Sequence, residues 1–188
     1  MANIKMTQRD YEILSFIKEY KCADTETLQR LFFPSKATAE KRLRKLCEAN
    51  KLNRYREDIL HSYVYYKGQR PTNLKHSLAL SQVYSLFQKS FNVVKCRREW
   101  ECKYYSKTLR PDLLVVIKKY DRLYPIIIEC ELTKSYSGKY DAFITSKYYQ
   151  NYFPMQPIII VISNRTPKAN TDITWIKLEE IDSLTSLL

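Results

Sequence analysis

Glycine is nearly missing from this chain. Gly68 and Gly138 are the only two among 188 residues, which excludes a glycine-rich loop that cradles phosphates. Cysteine is present but unorganised. Cys22, Cys47, Cys96, Cys102 and Cys130 are odd in number and no two form Cys-x-x-Cys, which fits reduced thiols and argues against structural zinc. Histidine is confined to His61 and His76. No run of about 18 apolar residues occurs, so no spanning helix is expected. The opening residues Met-Ala-Asn-Ile-Lys-Met-Thr-Gln-Arg-Asp lack the apolar core of a signal peptide, so a cytoplasmic location is expected. Acidic residues are also in deficit. Twenty Asp and Glu stand against 32 Lys and Arg, a formal net charge of +12, which favours an anionic partner, nucleic acid or a membrane surface.

The first seventy residues predict three short helices and a hairpin. Thr7 caps a helix with Asp10 in its first turn, and Ile13, Leu14, Phe16 and Ile17 form its apolar face through Tyr20. A second helix fits Thr25 to Phe33. Pro34-Ser35 breaks it, and Ser35 caps a third helix running to about Asn50. On that helix Ala39, Leu43, Leu46 and Cys47 share one face, with Lys41 and Lys45 roughly opposite. Leu52–Glu57 and Leu60–Lys67 then read as a β-hairpin. This is the order of a winged helix-turn-helix module, with the third helix in the major groove and the hairpin as the wing. The charge agrees. Residues 1–73 carry 15 basic and 9 acidic side chains, a net of +6, and residues 35–56 alone carry 8 and 2, again +6. Lys36, Thr38, Lys41, Arg42, Arg44, Lys45, Arg54 and Arg56 are the expected contacts to double-stranded DNA. They serve equally as phosphate contacts that position without specifying. The competing reading is a solvated helix face.

Gly68-Gln69-Arg70-Pro71-Thr72-Asn73 is the expected boundary, giving a winged helix-turn-helix domain over 1–70 and an α/β domain over 74–188. The second domain reads as a helix over His76–Lys89, strands over Phe91–Glu101, Asp112–Lys118 and Tyr124–Leu132, a helix over Lys139–Tyr152 and a strand over Pro157–Ser163. A last strand over Asp172–Leu178 and a terminal helix over Glu179–Leu187 complete it. Three carboxylates stand out. Asp112 opens a β-branched and aliphatic run, and Glu129 and Glu131 interrupt another. A carboxylate in such a run is costly unless it is paired, hydrogen-bonded or bound to a cation. In a strand Glu129 and Glu131 project to one face, and a hairpin turn over Tyr120–Pro125 brings Asp112 alongside. The three are candidate oxygen ligands for Mg2+ or Mn2+. The alternatives are Asp112 as a strand-initiating residue paired with Arg110, and Glu129 and Glu131 in ion pairs with Lys134 or Lys147. The sixteen tyrosines include Tyr104, Tyr105, Tyr136, Tyr140, Tyr148, Tyr149 and Tyr152. They read mainly as core and surface residues, with nucleophilic or base-stacking roles open to any exposed at a site.

Helix, strand, strand with Arg110-Pro111-Asp112, strand with Glu129-Cys130-Glu131 and Thr133, then a helix with Lys147 and Tyr149, resembles the core of PD-(D/E)xK nucleases. With the N-terminal module and His76-Ser-Leu-Ala-Leu, nearly the whole chain is similar to the replication-relaxation family of plasmids and mobile elements. MobC-type mobilisation relaxases look similar too. The resemblance implies an α+β protein that joins a winged helix to a nuclease-like domain and acts at an origin of replication or transfer. It implies a homodimer or other replication or mobilisation proteins as partners. It also implies a nicking site built from Asp112, Glu129 and Glu131. Glu131 stands where the family pattern has lysine; Lys134 is nearby, the resemblance allows Lys147 on the next helix to supply the lysine, and Glu131 is otherwise a third metal ligand or a base. Two functions stay open: metal-dependent nicking, and a non-enzymatic DNA-binding regulator with a degenerate nuclease-like domain. A membrane-surface role is weakest, since no amphipathic basic helix stands out.

Overall fold

A computed structural model describes residues 4–187. It is a mixed α+β chain with three sheets, and it divides into two compact units, residues 1–89 and 90–188. No helix among the described residues is long and apolar enough to cross a membrane.

The first unit runs α1 (Gln8–Tyr20), β1 (Cys22–Asp24), α2 (Thr25–Phe32), α3 (Lys36–Glu48), β2 (Asn53–Tyr55), β3 (Val64–Tyr66) and α4 (Leu74–Ser90). Its helix starts follow side-chain chemistry. The Asp10 N–H donates to the Thr7 hydroxyl while the Asp10 carboxylate accepts from the Thr7 N–H at 2.7 Å, a reciprocal capping box. Asp24 caps α2 and Ser35 caps α3. Ile13, Ile17, Leu28, Ala39, Leu43 and Leu46 are fully or almost fully buried, so the three helices close one apolar core. The small sheet has the antiparallel order β1-β3-β2. β1 is a three-residue strand that sequence patterning does not reveal.

The helix expected at the start of the second domain packs with the first unit instead. On α4, Tyr84 lies 5.5 Å from Phe16 and 5.0 Å from Tyr20, ring centre to ring centre. Gln82 donates to the Asp24 carboxylate at 2.7 Å, and Arg30 donates to the Ser85 hydroxyl at 2.8 Å. The compact units therefore divide after Lys89, not at residues 68–73. The contacts responsible join residues more than fifty positions apart, and helical periodicity carries no sign of them.

The second unit contains β4 (Asn92–Arg98), β5 (Cys102–Tyr104), β6 (Lys107–Leu109), β7 (Leu113–Lys119), β8 (Arg122–Cys130), α5 (Asp141–Thr145), β9 (Ile158–Ile162) and β10 (Thr174–Ile176). Two 3₁₀ helices, Tyr148–Asn151 and Leu178–Leu187, accompany them. Five strands form one mixed sheet in the order β10-β9-β8-β7-β4, antiparallel from β4 to β8 and parallel from β8 to β10. β5 and β6 form a separate hairpin. One face of the sheet presents Leu114, Ile127, Ile159 and Val161 to Tyr136, Tyr140, Phe143, Ile144, Tyr149 and Phe153. The helix expected over Lys139–Tyr152 is broken. Lys147 adopts a left-handed φ of 57° between α5 and the 3₁₀ helix, which stops an α-helix and lets Tyr149 turn back into the core.

β7 and β8 pair in register from Lys119↔Arg122 to Leu113↔Ile128. Their two-residue connection places both Tyr120 and Asp121 at positive φ, 49° and 59°. Such a turn favours Asn-Gly. The double substitution Tyr120→Asn, Asp121→Gly is expected to stabilise the protein by about 1 kcal/mol, read as a higher denaturant midpoint at unchanged slope. A lower midpoint would mean that these residues make contacts outweighing their backbone strain.

Candidate functional site

The first unit carries a run of cations on α3 and around β2. Lys36, Thr38, Lys41, Arg44 and Lys45 are exposed on α3, while Ala39, Leu43 and Leu46 are buried. Lys36 lies 3.6 Å from Glu26 and Arg44 lies 3.7 Å from Glu48, both pairs solvent-exposed. Such surface pairs contribute little and yield readily to a phosphate. Arg54 and Arg56 stand over the Tyr63 ring at 4.4 and 4.7 Å, which braces two guanidinium groups beside the hairpin. A cleft of about 510 Å3 opens between the start of α1 and α3, with Arg9, Thr38, Lys41, Arg42 and Lys45 in its walls.

Arg42 departs from its expected role as a DNA contact. Its Nε donates to Asp10 Oδ1 at 2.9 Å, its Nη2 makes a short bond to Asp10 Oδ2, and Nη2 also donates to the Lys5 carbonyl at 2.9 Å. Asp10 is completely buried. Burial alone would raise its pKa, but hydrogen bonds from Arg42 and Thr7 overcome that and hold the carboxyl at about 2. Arg42 thus ties α3 to the start of α1 and is only partly available to a ligand.

In the second unit, Asp112 and Glu129 lie near enough for the Asp112 charge to act on Glu129. One step beyond the Leu113↔Ile128 pair they stand opposite each other, and Asp112 Oδ2 accepts from the Cys130 N–H at 2.8 Å. Glu129 is 3% exposed. Its Oε1 accepts from Lys139 Nζ at 2.8 Å and makes a short hydrogen bond with the Tyr140 hydroxyl. Lys139 Nζ also donates to the Arg110 carbonyl at 2.6 Å, and the Tyr140 N–H donates to the Tyr136 hydroxyl at 3.2 Å. Burial pushes the Glu129 carboxyl up to about 7. Lys139 and Tyr140 pull against that shift, and the Asp112 charge adds to it. Burial and the neighbouring carboxylates raise the Cys130 thiol, so it is no ready nucleophile. Burial, then Glu129, raises the Tyr140 hydroxyl as well, which keeps it a hydrogen-bond donor.

Gly138 delivers the pair Lys139–Tyr140 to the carboxylate. It adopts φ 71°, and a Cβ there would collide with the Asp141 carboxylate, which itself accepts from the Asn170 N–H and the Thr171 hydroxyl at 2.7 and 2.8 Å. Glycine suits this corner, and a side chain there would force the Asp141 carboxylate from its hydrogen bonds.

Of the other two expected members, Glu131 stays near Cys130 without joining a metal-holding set, and Lys147 lies on a separate corner. Glu131 lies just past the end of β8, half-buried, where its N–H donates to the Ile162 carbonyl at 2.9 Å. Lys147 occupies the exposed left-handed corner after α5. The lysine paired with Glu129 is Lys139. Among the described residues, no three His, Cys, Asp or Glu side chains are arranged to hold a metal ion. As placed, the residues do not fit the expected Mg2+ or Mn2+ site. An ammonium and a phenol already meet the Glu129 oxygen, and a backbone N–H meets Asp112. Lys139 follows one of only two glycines in the chain, the one sequence cue to a special corner here.

No protein-family model matches the chain, and no curated protein matches it. Among solved structures it is similar to "protein VC1899 from Vibrio cholerae", at 14% identity and a TM-score of 0.41 over 95% of this chain. The chain spans 48% of that protein. A likeness of this size carries no argument about fold or function.

Proposed function

We propose that this chain is a duplex-DNA-binding protein of a replicating or mobilised element, acting as a non-enzymatic regulator or accessory factor. In this reading the first unit is a winged helix-turn-helix, and the second is a nuclease-like domain whose buried Glu129 is engaged from within by Lys139 and Tyr140. The observation that carries it is the exposed cationic face of α3 beside the Arg54–Tyr63–Arg56 stack. The element order α1-β1-α2-α3-β2-β3 and the sheet order β1-β3-β2 support it, since such a module lays its third helix in the major groove and a hairpin alongside. The direct test is a salt titration with labelled duplex DNA. The double variant Lys41→Ala, Lys45→Ala is expected to bind roughly tenfold or more weakly and to reduce the salt slope by about two. Unchanged affinity and slope would remove α3 from the DNA interface.

A second reading, cleavage of the DNA backbone, draws on Asp112 facing Glu129 with a lysine ammonium at hand. It requires Lys139 to leave Glu129 for a metal to enter. Supercoiled plasmid nicked in Mg2+ or Mn2+ by the wild type, but not by Asp112→Asn, would establish this second reading and displace the first.

A further inference from the structure

The β5–β6 hairpin and the chain after α5 carry a row of aromatic rings at the edge of the core, with Tyr105 and Tyr152 exposed and Trp100 and Tyr148 half-buried. Tyr105, at the hairpin tip, is 73% exposed and its ring lies 5.2 Å from Tyr148. Tyr148 lies 6.4 Å from Tyr152, and Tyr152 lies 5.4 Å from Trp100. Buried Tyr104, Phe143 and Phe153 support the row from below. Tyr152 is pinned, because its hydroxyl donates to the Lys103 carbonyl at 2.7 Å and accepts from the Lys103 N–H at 3.1 Å. The rings are thus held by the fold.

The surrounding charge says what the row fits. Lys103, Lys107 and Lys147 are exposed on the hairpin and on the left-handed corner that precedes Tyr148. The acidic Glu101 is matched by Arg110 at 2.7 Å, and Asp141 is engaged by the Asn170 N–H and the Thr171 hydroxyl. Supported aromatic faces interleaved with lysines suit a polyanion that offers flat apolar faces between its charges. Single-stranded nucleic acid meets that description, since every base has a π-face, whereas a duplex hides its base faces in the stack.

We propose that Tyr105, Tyr148, Tyr152 and Trp100 form a stacking platform for single-stranded nucleic acid, with Lys103 and Lys107 facing its phosphates. The platform lies wholly within the second unit and does not depend on α3 binding duplex DNA.

The test compares an oligothymidylate of about fifteen nucleotides, near the upper end of known single-strand site sizes, with a duplex of equal length, using the full chain. Tyr105→Ala and Tyr148→Ala are each expected to weaken oligothymidylate binding on the order of tenfold and to leave duplex binding unchanged. Tyr105→Trp is expected to retain it. Photocrosslinking wild-type protein to a 5-bromodeoxyuridine oligonucleotide should label peptides covering 103–107 and 147–152, and this arm stands even if Tyr148→Ala unfolds. Unchanged oligothymidylate affinity in a folded Tyr105→Ala, an equal loss for duplex, or crosslinks confined to the first unit would each overturn the proposal. So would a shift in oligomeric state with oligothymidylate binding intact, which would make the row a protein interface.

Discussion

Lys139→Met is expected to destabilise the protein by about 3 kcal/mol at pH 8 and by less than about 1 kcal/mol at pH 5. Removing one partner of a buried ion pair leaves the other charge uncompensated, and Glu129 is almost fully buried. The penalty falls on the ionised carboxylate only, so it fades as Glu129 takes up a proton. The wild type carries a milder form of the same dependence. Its folded carboxyl titrates at about 7, above the ordinary 4.5, because burial outweighs the Lys139 charge. Between these values the native state binds more protons than the unfolded state, so stability falls as pH rises through that window and levels off above it. The fall is about 3 kcal/mol. Glu129→Gln should flatten the profile, and adding it to Lys139→Met should recover most of the loss at pH 8. Thermal unfolding from pH 4 to pH 9 reads all three variants. A wild-type profile flat between pH 5 and pH 7 would sink this account of the carboxylate.

Arg42→Met is expected to lower stability by about 3 kcal/mol, whereas Lys41→Met and Lys45→Met should change it by less than about 0.5 kcal/mol. The three residues sit on one helix, yet only Arg42 compensates a completely buried carboxylate. The acid limb gives a second readout. The Asp10 carboxyl is held at about 2, below its ordinary 3.8, so its contribution is present above about 4 and is lost as pH falls toward 2. Arg42→Met should shrink that acid-induced loss. If Arg42→Met proves as benign as the two lysine variants by chemical denaturation, the Arg42–Asp10 pair is not a structural tie.

What could be read from the chain was what local chemistry decides. Thr7 and Ser35 cap the helices they were expected to cap, because an N-cap is settled within three residues. The aliphatic runs at Leu113–Lys119 and Arg122–Cys130 are strands, and their short connection fixed the register that sets Asp112 against Glu129. Long-range pairing was not legible. Arg42 reads as one more helix-surface cation until Asp10, 32 residues earlier, comes to lie beneath it. Lys147 enters only through the family resemblance, which places a lysine on the helix after the acidic strand. The left-handed turn at Lys147 removes that helix, and the Gly138 corner presents Lys139 instead. The β5–β6 hairpin leaves no pattern in the sequence, because each strand is three residues long, too short for alternation to register.

The parallel pairing of β8 with β9 bears on how the chain leaves the ribosome. β7 and β8 are adjacent in sequence and can zip as soon as both have emerged, since hairpins form in microseconds. β9 is synthesised later, after α5 and the Tyr148–Asn151 helix. In that interval the far edge of β8 offers the backbone groups of Ile126–Cys130, later claimed by β9, to any other strand in reach. An apolar, β-branched edge of this kind invites aggregation. Glu129 is the only charge in that run. In the nascent hairpin it is still hydrated and so ionised, and a lone charge in such a segment acts as a gatekeeper against mispairing. The carboxylate that costs the finished sheet stability as pH rises toward 7 is thus the one charge this edge carries before β9 pairs with it.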